Sequence, residues 1–192
     1  MTTAFFGLNL SYGQIDTLKR NDEVIQDYDS TFVNGLTESL SLYRIEKIPI
    51  NLCFQKQIKS LSIIGYDCDY GISCESLGEL PICIANMLEL KSLSYSVTGI
   101  SFIPDTLKNL SKLKILSLTD NSALKDISNI KHLQNIEVLS LFGCTTLKNI
   151  VNDVKPLKQL KILNLEGCNS ITKAEIIEIK KSVPKSCKVT SD

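Results

Sequence analysis

Residues 66–79, YDCDYGISCESLGE, place Asp67, Cys68, Asp69, Gly71, Cys74 and Glu75 within one short stretch. Two kinds of metal chemistry are conceivable there. Asp67-x-Asp69-x-Gly71 with Glu75 has the outline of a calcium loop. Calcium takes roughly six to eight oxygens, and the loop that supplies them needs a third acid and a final glutamate spacing that are missing here. Cys68, Cys74 and Cys83 offer thiolates for zinc. Their gaps of five and eight residues are not the short Cys-x-x-Cys pairs of structural zinc sites. The stretch therefore reads as a polar surface loop.

Nucleophilic chemistry fares no better. A cysteine nucleophile needs a base within reach, and His132 is the sole histidine. It lies in KHLQNI, far along the chain from the loop. Gly-x-Ser-x-Gly, His-Glu-x-x-His and phosphate-cradling glycine loops are all absent from the sequence. No catalytic residue, metal ligand or cofactor is assigned, and the chain is read as not an enzyme.

The composition is that of a globular domain: 43% hydrophobic and 22% charged across 192 residues. Leucine and isoleucine dominate, at 27 and 23. Basic and acidic residues balance at 21 each, which argues against a nucleic-acid partner. A mild gradient, net −4 over residues 1–38 and net +4 over 125–192, steers partners only weakly. No apolar run is long enough to span a bilayer. The apolar stretch Ala4–Leu10 precedes the first positive charge, Lys19, the reverse of a secretory signal. The odd count of seven cysteines favours thiols over a disulfide framework. The expectation is a monomer without a membrane span, cytoplasmic or exported without a recognisable N-terminal signal peptide.

The elements that must position any site come from an internal repeat. LKILSLTDN at 113–121, IEVLSLFGC at 136–144 and LKILNLEGC at 160–168 share L-x-x-L-x-L-x-x-N/C, with Ile allowed for Leu. LKSLSYSVT at 90–98, IKSLSIIGY at 58–66 and TESLSLYRI at 37–45 are looser copies. Their anchors, Leu40, Leu61, Leu93, Leu116, Leu139 and Leu163, are spaced 21, 32, 23, 23 and 24 residues apart. The long unit is the one that holds residues 66–79. The second half of each unit, as in IPDTLKNLSKL at 103–113, repeats apolar residues every third position. Alternation predicts a short strand with one buried face, and three-residue spacing predicts a short helix or 3-10 turn. One unit cannot bury its own core, but stacked units share one. The predicted fold is α/β: a curved right-handed solenoid, with parallel strands on the concave side and helical turns on the convex side.

This pattern resembles the leucine-rich repeat family over about residues 37–187. The resemblance implies that the N/C position, held by Asn121, Cys144 and Cys168, points inward and bonds turn backbone, with Thr98 able to substitute. It implies a noncatalytic module that binds a protein partner through the concave face, possible roles being bacterial effector or regulator. An immunity or inhibitor protein capping one enzyme is the alternative, and a metal or thiol enzyme using residues 66–79 a further one. Residues 1–36 read as an N-terminal capping segment, 37–171 as repeats, and 172–192 as a capping helix and last strand. Thr172 is the expected N-cap, with Glu175 at the capping-box position.

Strand alternation points two columns outward on the concave face. One is Ser41, Ser62, Ser94, Ser117, Ser140 and Asn164. The next is Tyr43, Ile64, Ser96, Thr119, Phe142 and Glu166. Large apolar side chains at nominally exposed positions make Tyr43, Ile64 and Phe142 candidate contact residues. Thr119 and Glu166 share their column, and Arg44 and Asp120 flank it with charge. These seven are the candidate partner-binding residues.

Overall fold

Each Leu-x-Leu segment becomes a strand, and the leucines turn inward. A computed structural model describes residues 38–43, 45, 48–49, 52, 54–65 and 77–191. Its strands are β1 (Ser39–Tyr43), β2 (Ser60–Ile64), β3 (Ser92–Ser96), β4 (Ile115–Ser117), β5 (Val138–Ser140), β6 (Ile162–Asn164) and β7 (Lys188–Thr190). They form one parallel sheet in chain order. The register aligns Leu40, Leu61, Leu93, Leu116, Leu139 and Leu163, the anchors of the repeat, and adds Val189. The expected N-terminal capping segment, residues 1–36, lies outside the described residues.

The return segments are helical because their apolar residues recur every three positions. Ile82–Asn86, Asp105–Asn109 and Ser128–His132 are 3-10 turns, and α1 is one α-helical turn, Val151–Val154. Three residues per turn brings Leu107, Leu110 and Leu113 onto one buried side. Pro81 and Pro104 precede the first two of these turns, where a missing N–H costs nothing. The buried leucines and isoleucines of successive units make one continuous core.

A polar ladder runs beside that core. Asn121 is fully buried; its Oδ1 accepts from the Thr98 N–H and hydroxyl at 3.0 Å each. Its Nδ2 donates to the Tyr95 and Leu118 carbonyls at 2.7 and 2.9 Å. Cys144 Sγ donates to Leu118 O at 3.1 Å, and Cys168 Sγ to Leu141 O at 2.9 Å. Each thiol thus takes the place of the asparagine amide in the ladder, and Cys144 Sγ also accepts from the Asn121 backbone N–H. Thr98 takes its place in the ladder as an acceptor-seeking hydroxyl.

The long unit is pinned where its extra residues leave and return. Gly65 N donates to Ser96 O at 2.9 Å, and Gly78 N to Thr98 O at 2.8 Å. Tyr95 stands where Leu118, Leu141 and Leu165 stand in later units. Its fully buried ring fills the core, and its hydroxyl donates to Gly78 O at 3.1 Å. Burial pushes the phenol up to about 12, so it stays a donor at any working pH.

At the C-terminal end, α2 (Lys173–Ser182) starts with Thr172 Oγ1 accepting from Glu175 N at 3.2 Å. The Glu175 carboxylate accepts from Ile150 N at 2.7 Å, tying this helix to the preceding unit.

One cysteine expectation is overturned. Cys83 is disulfide-bonded, whereas Cys144 and Cys187 carry free thiols. The expectation of seven thiols followed from an odd count and the lack of a secretory start. Neither constrains which two sulfur atoms the fold brings together.

Candidate functional site

The concave sheet presents three columns of side chains between buried leucines. The middle column, Ser41, Ser62, Ser94, Ser117, Ser140 and Asn164, follows the strand register. Its hydroxyls bond sideways to the next column: Ser94 Oγ to Ser96 Oγ at 3.2 Å, and Ser117 Oγ to Thr119 Oγ1 at 2.9 Å. Thr119 Oγ1 also lies 3.3 Å from Ser140 Oγ, and Thr190 donates to Asn164 Oδ1 at 3.0 Å. The small polar centre of the face is therefore largely satisfied by itself.

The candidate residues separate in this geometry. Tyr43 on β1 is 40% exposed, and Phe142, just past β5, is 39% exposed. Ile64, Thr119 and Glu166 are half-buried in the same column, and Ser96 is buried. Glu166 N donates to Asn164 Oδ1 at 3.0 Å, which fixes the turn leaving β6. Asp120 is exposed at the rim with φ 55°, a left-handed conformation. The equivalent positions hold Val97 at φ 55°, Gly143 at 69° and Gly167 at 74°. A β-branched valine there is an outlier, next to the turn that carries Gly78. Arg44 lies outside the described residues.

The third column escaped the sequence reading. It runs Ser39, Ser60, Ser92, then Ile115, Val138 and Ile162, then Lys188. Ile115 and Ile162 are 42% and 41% exposed, with Val138 half-buried between them. The signal was present as the residue before each anchor leucine, which changes from Ser to a branched aliphatic at β4.

Chemistry-bearing groups do not converge. His132 sits on the convex side, with Nε2 3.9 Å from Asp105 Oδ1. Among the described residues no group of three His, Cys, Asp or Glu side chains is placed to hold a metal ion. Among the same residues no helix is long and apolar enough to cross a membrane.

Comparison with known proteins gives the fold. No family model matches, and no curated protein matches by sequence. A solved leucine-rich repeat protein of Leptospira interrogans superposes with a TM-score of 0.66 at 23% identity, over 83% of this chain and 38% of that one. The chain folds as a leucine-rich repeat-like solenoid. A Listeria monocytogenes internalin gives a TM-score of 0.50 at 19% identity, over 85% of this chain and 50% of that one. A TDR receptor gives 0.52 at 14% identity, over 88% of this chain and 32% of that one. The solenoid thus spans half or less of the chains to which it is similar here.

Two features of the solenoid lead to direct measurements. Glu137 lies between two lysines of neighbouring strands, with Lys114 Nζ at 2.7 Å and Lys161 Nζ at 2.5 Å. Their hydrogen bonds hold its carboxyl down at about 2, against an ordinary 4.5. Whatever stability this exposed clip contributes is present above the ordinary carboxylate range and fades as pH falls toward 2. A carbon-detected NMR titration should place the Glu137 midpoint near that value. Removing both lysines should return it to the ordinary range.

The thiols should differ as sharply. Burial pushes Cys144 up to about 12, which leaves only about one thiolate in ten thousand at pH 8. Cys187 is also raised by burial but is only partly buried. Alkylation of the native protein at pH 8, mapped by peptide mass, should label Cys187 before Cys144 and Cys168. Cys144 and Cys168 should label only when the solenoid opens. Early labelling of Cys144 would show that the ladder opens locally.

Proposed function

We propose that this solenoid is a noncatalytic module that binds a protein partner through its concave face, in an effector or regulator role. The observation that carries this reading is the pair of exposed aromatics, Tyr43 and Phe142, standing in a column otherwise occupied by half-buried or buried side chains. Rigid aromatic side chains of this kind are the commonest interface anchors. The short hydroxyl column beside them lets a partner approach the sheet closely. Proteins with this fold generally serve as protein-binding modules. Of the two locations open to the chain, the disulfide at Cys83 supports the exported one, since such bonds persist in oxidising compartments.

The test is affinity capture from a lysate of the source or its host, with wild type beside a Tyr43→Ala, Phe142→Ala, Glu166→Lys variant. Circular dichroism confirms that both are folded. A protein retained by wild type and lost by the folded variant supports the reading. A protein retained equally by both removes the concave column from the interface.

A further inference from the structure

We infer that the C-terminal half of the concave face receives an amphipathic helix of the partner, with its apolar side on Ile115, Val138 and Ile162 and an acidic flank on Lys114 and Lys161. This rests on the concave-face reading above and gives it a ligand chemistry. The apolar row is abrupt: serine holds the same column on β1 to β3, and Lys188 ends it on β7. A solvated sheet has no need of two isoleucines some two-fifths exposed on strands β4 and β6.

The spacing selects the occupant. The row crosses the strands, so its members repeat at about 4.8 Å, the distance between paired strands. A helix lying along the row offers apolar side chains about every 5.4 Å, one per turn. An extended segment in the same direction offers them about every 6.7 Å. Over the two steps from Ile115 to Ile162 the helix drifts by about 1 Å and the extended chain by about 4 Å. A strand running along the sheet direction would meet only one apolar residue per strand of this sheet, followed by Ser117 or Ser140.

Charge sets the orientation. Lys114 and Lys161 are exposed on the edge beside the row, one on each side of Glu137. One carboxylate shared by two ammonium groups leaves this edge net positive, and Lys188 adds to it. The lysines are about two strand spacings apart, close to the rise of seven helical residues, about 10.5 Å. Carboxylates at i and i+7 on the helix flank therefore meet both.

The probe is a library of displayed random peptides of about 15 residues, long enough to hold a helix, selected on the purified protein. The expected winners carry apolar residues at i, i+3 or i+4 and i+7, with Asp or Glu on one flank. Their affinity should fall at least about tenfold on an Ile115→Ser, Ile162→Ser double variant. It should also fall on Lys161→Glu and recover when the peptide acid is changed to lysine. Because these side chains are exposed, the variants are expected to fold, which circular dichroism checks. Winners that lose affinity with Tyr43→Ala and Phe142→Ala but not with the isoleucine variant would overturn the inference and leave the concave-face reading standing. Winners with alternating apolar residues, lacking helical spacing, would do the same. Winners insensitive to both sets of variants, or no enrichment at all, would overturn both.

Discussion

Replacing Asn121 with alanine is expected to cost about 3–5 kcal/mol of unfolding free energy, the largest loss from any single polar side chain among the described residues. Five backbone or hydroxyl groups lose a bond at once, the weakest being Thr119 O at 3.5 Å. Thr98 N loses its acceptor at 3.0 Å, and Tyr95 O loses its donor at 2.7 Å. Thr98 Oγ1 can rotate toward another acceptor, and Leu118 O keeps the Cys144 thiol, so those two losses are partial. Each buried group left unpaired costs about 1–3 kcal/mol, which sets the range.

Cys144→Ala is the internal control. It removes the thiol's bond to the Leu118 carbonyl, which Asn121 still serves, and the sulfur that accepts from the Asn121 backbone N–H, and should cost about 2 kcal/mol including the lost packing. Denaturant unfolding of both variants gives the comparison. Stacked units interact chiefly with neighbours, so a single transition is not assured in a solenoid. Amide exchange around Thr98 supplies the local reading: its N–H should lose protection in Asn121→Ala and keep it in Cys144→Ala. Equal costs for the two would mean that the ladder is held by packing and not by the asparagine.

The leucine spacing made the register of β1 to β6 legible, because burial of one strand face admits only one alignment. The ladder was legible only through the resemblance. Asn121, Cys144 and Cys168 hold the N/C position of the repeat, which the leucine-rich repeat pattern implies turns inward onto turn backbone. Three features were not legible. The Ile115, Val138 and Ile162 row lies on an outward position, where nothing in the burial pattern penalises an aliphatic side chain or rewards one. The second role of Tyr95 depends on where the long unit returns, since its hydroxyl is of use only if Gly78 O lies at its tip. The bond at Cys83 depends on the separation and direction of side chains in space. Each of these is decided by three-dimensional juxtaposition, and sequence periodicity reports only which side of an element a residue occupies.

Gly65→Ala is expected to be the most damaging glycine-to-alanine change among the described residues, at about 3 kcal/mol, while Gly78→Ala should cost about 1 kcal/mol. The two glycines bracket the same stretch but are glycine for different reasons. A Cβ on Gly65 would stand 2.0 Å from Val97 O, 2.9 Å from Val97 C and 3.3 Å from Thr98 Cα. All three are backbone atoms and cannot swing aside. Relief requires β2 to move away from the turn after β3, which breaks the 2.9 Å bond from Gly65 N to Ser96 O. At Gly78 an added Cβ meets no atom of the described residues within 4 Å, and the left-handed φ of 69° opposes it. That is an ordinary conformational penalty for an L-residue. Denaturant midpoints should therefore separate the two variants clearly. Amide exchange should show the Gly65→Ala defect in Ser60–Ile64 and leave β5 and β6 protected, because units several strands away do not touch the displaced turn. Equal costs for the two alanines would show that the β2 and β3 turns part easily and that their close approach does not require glycine at position 65.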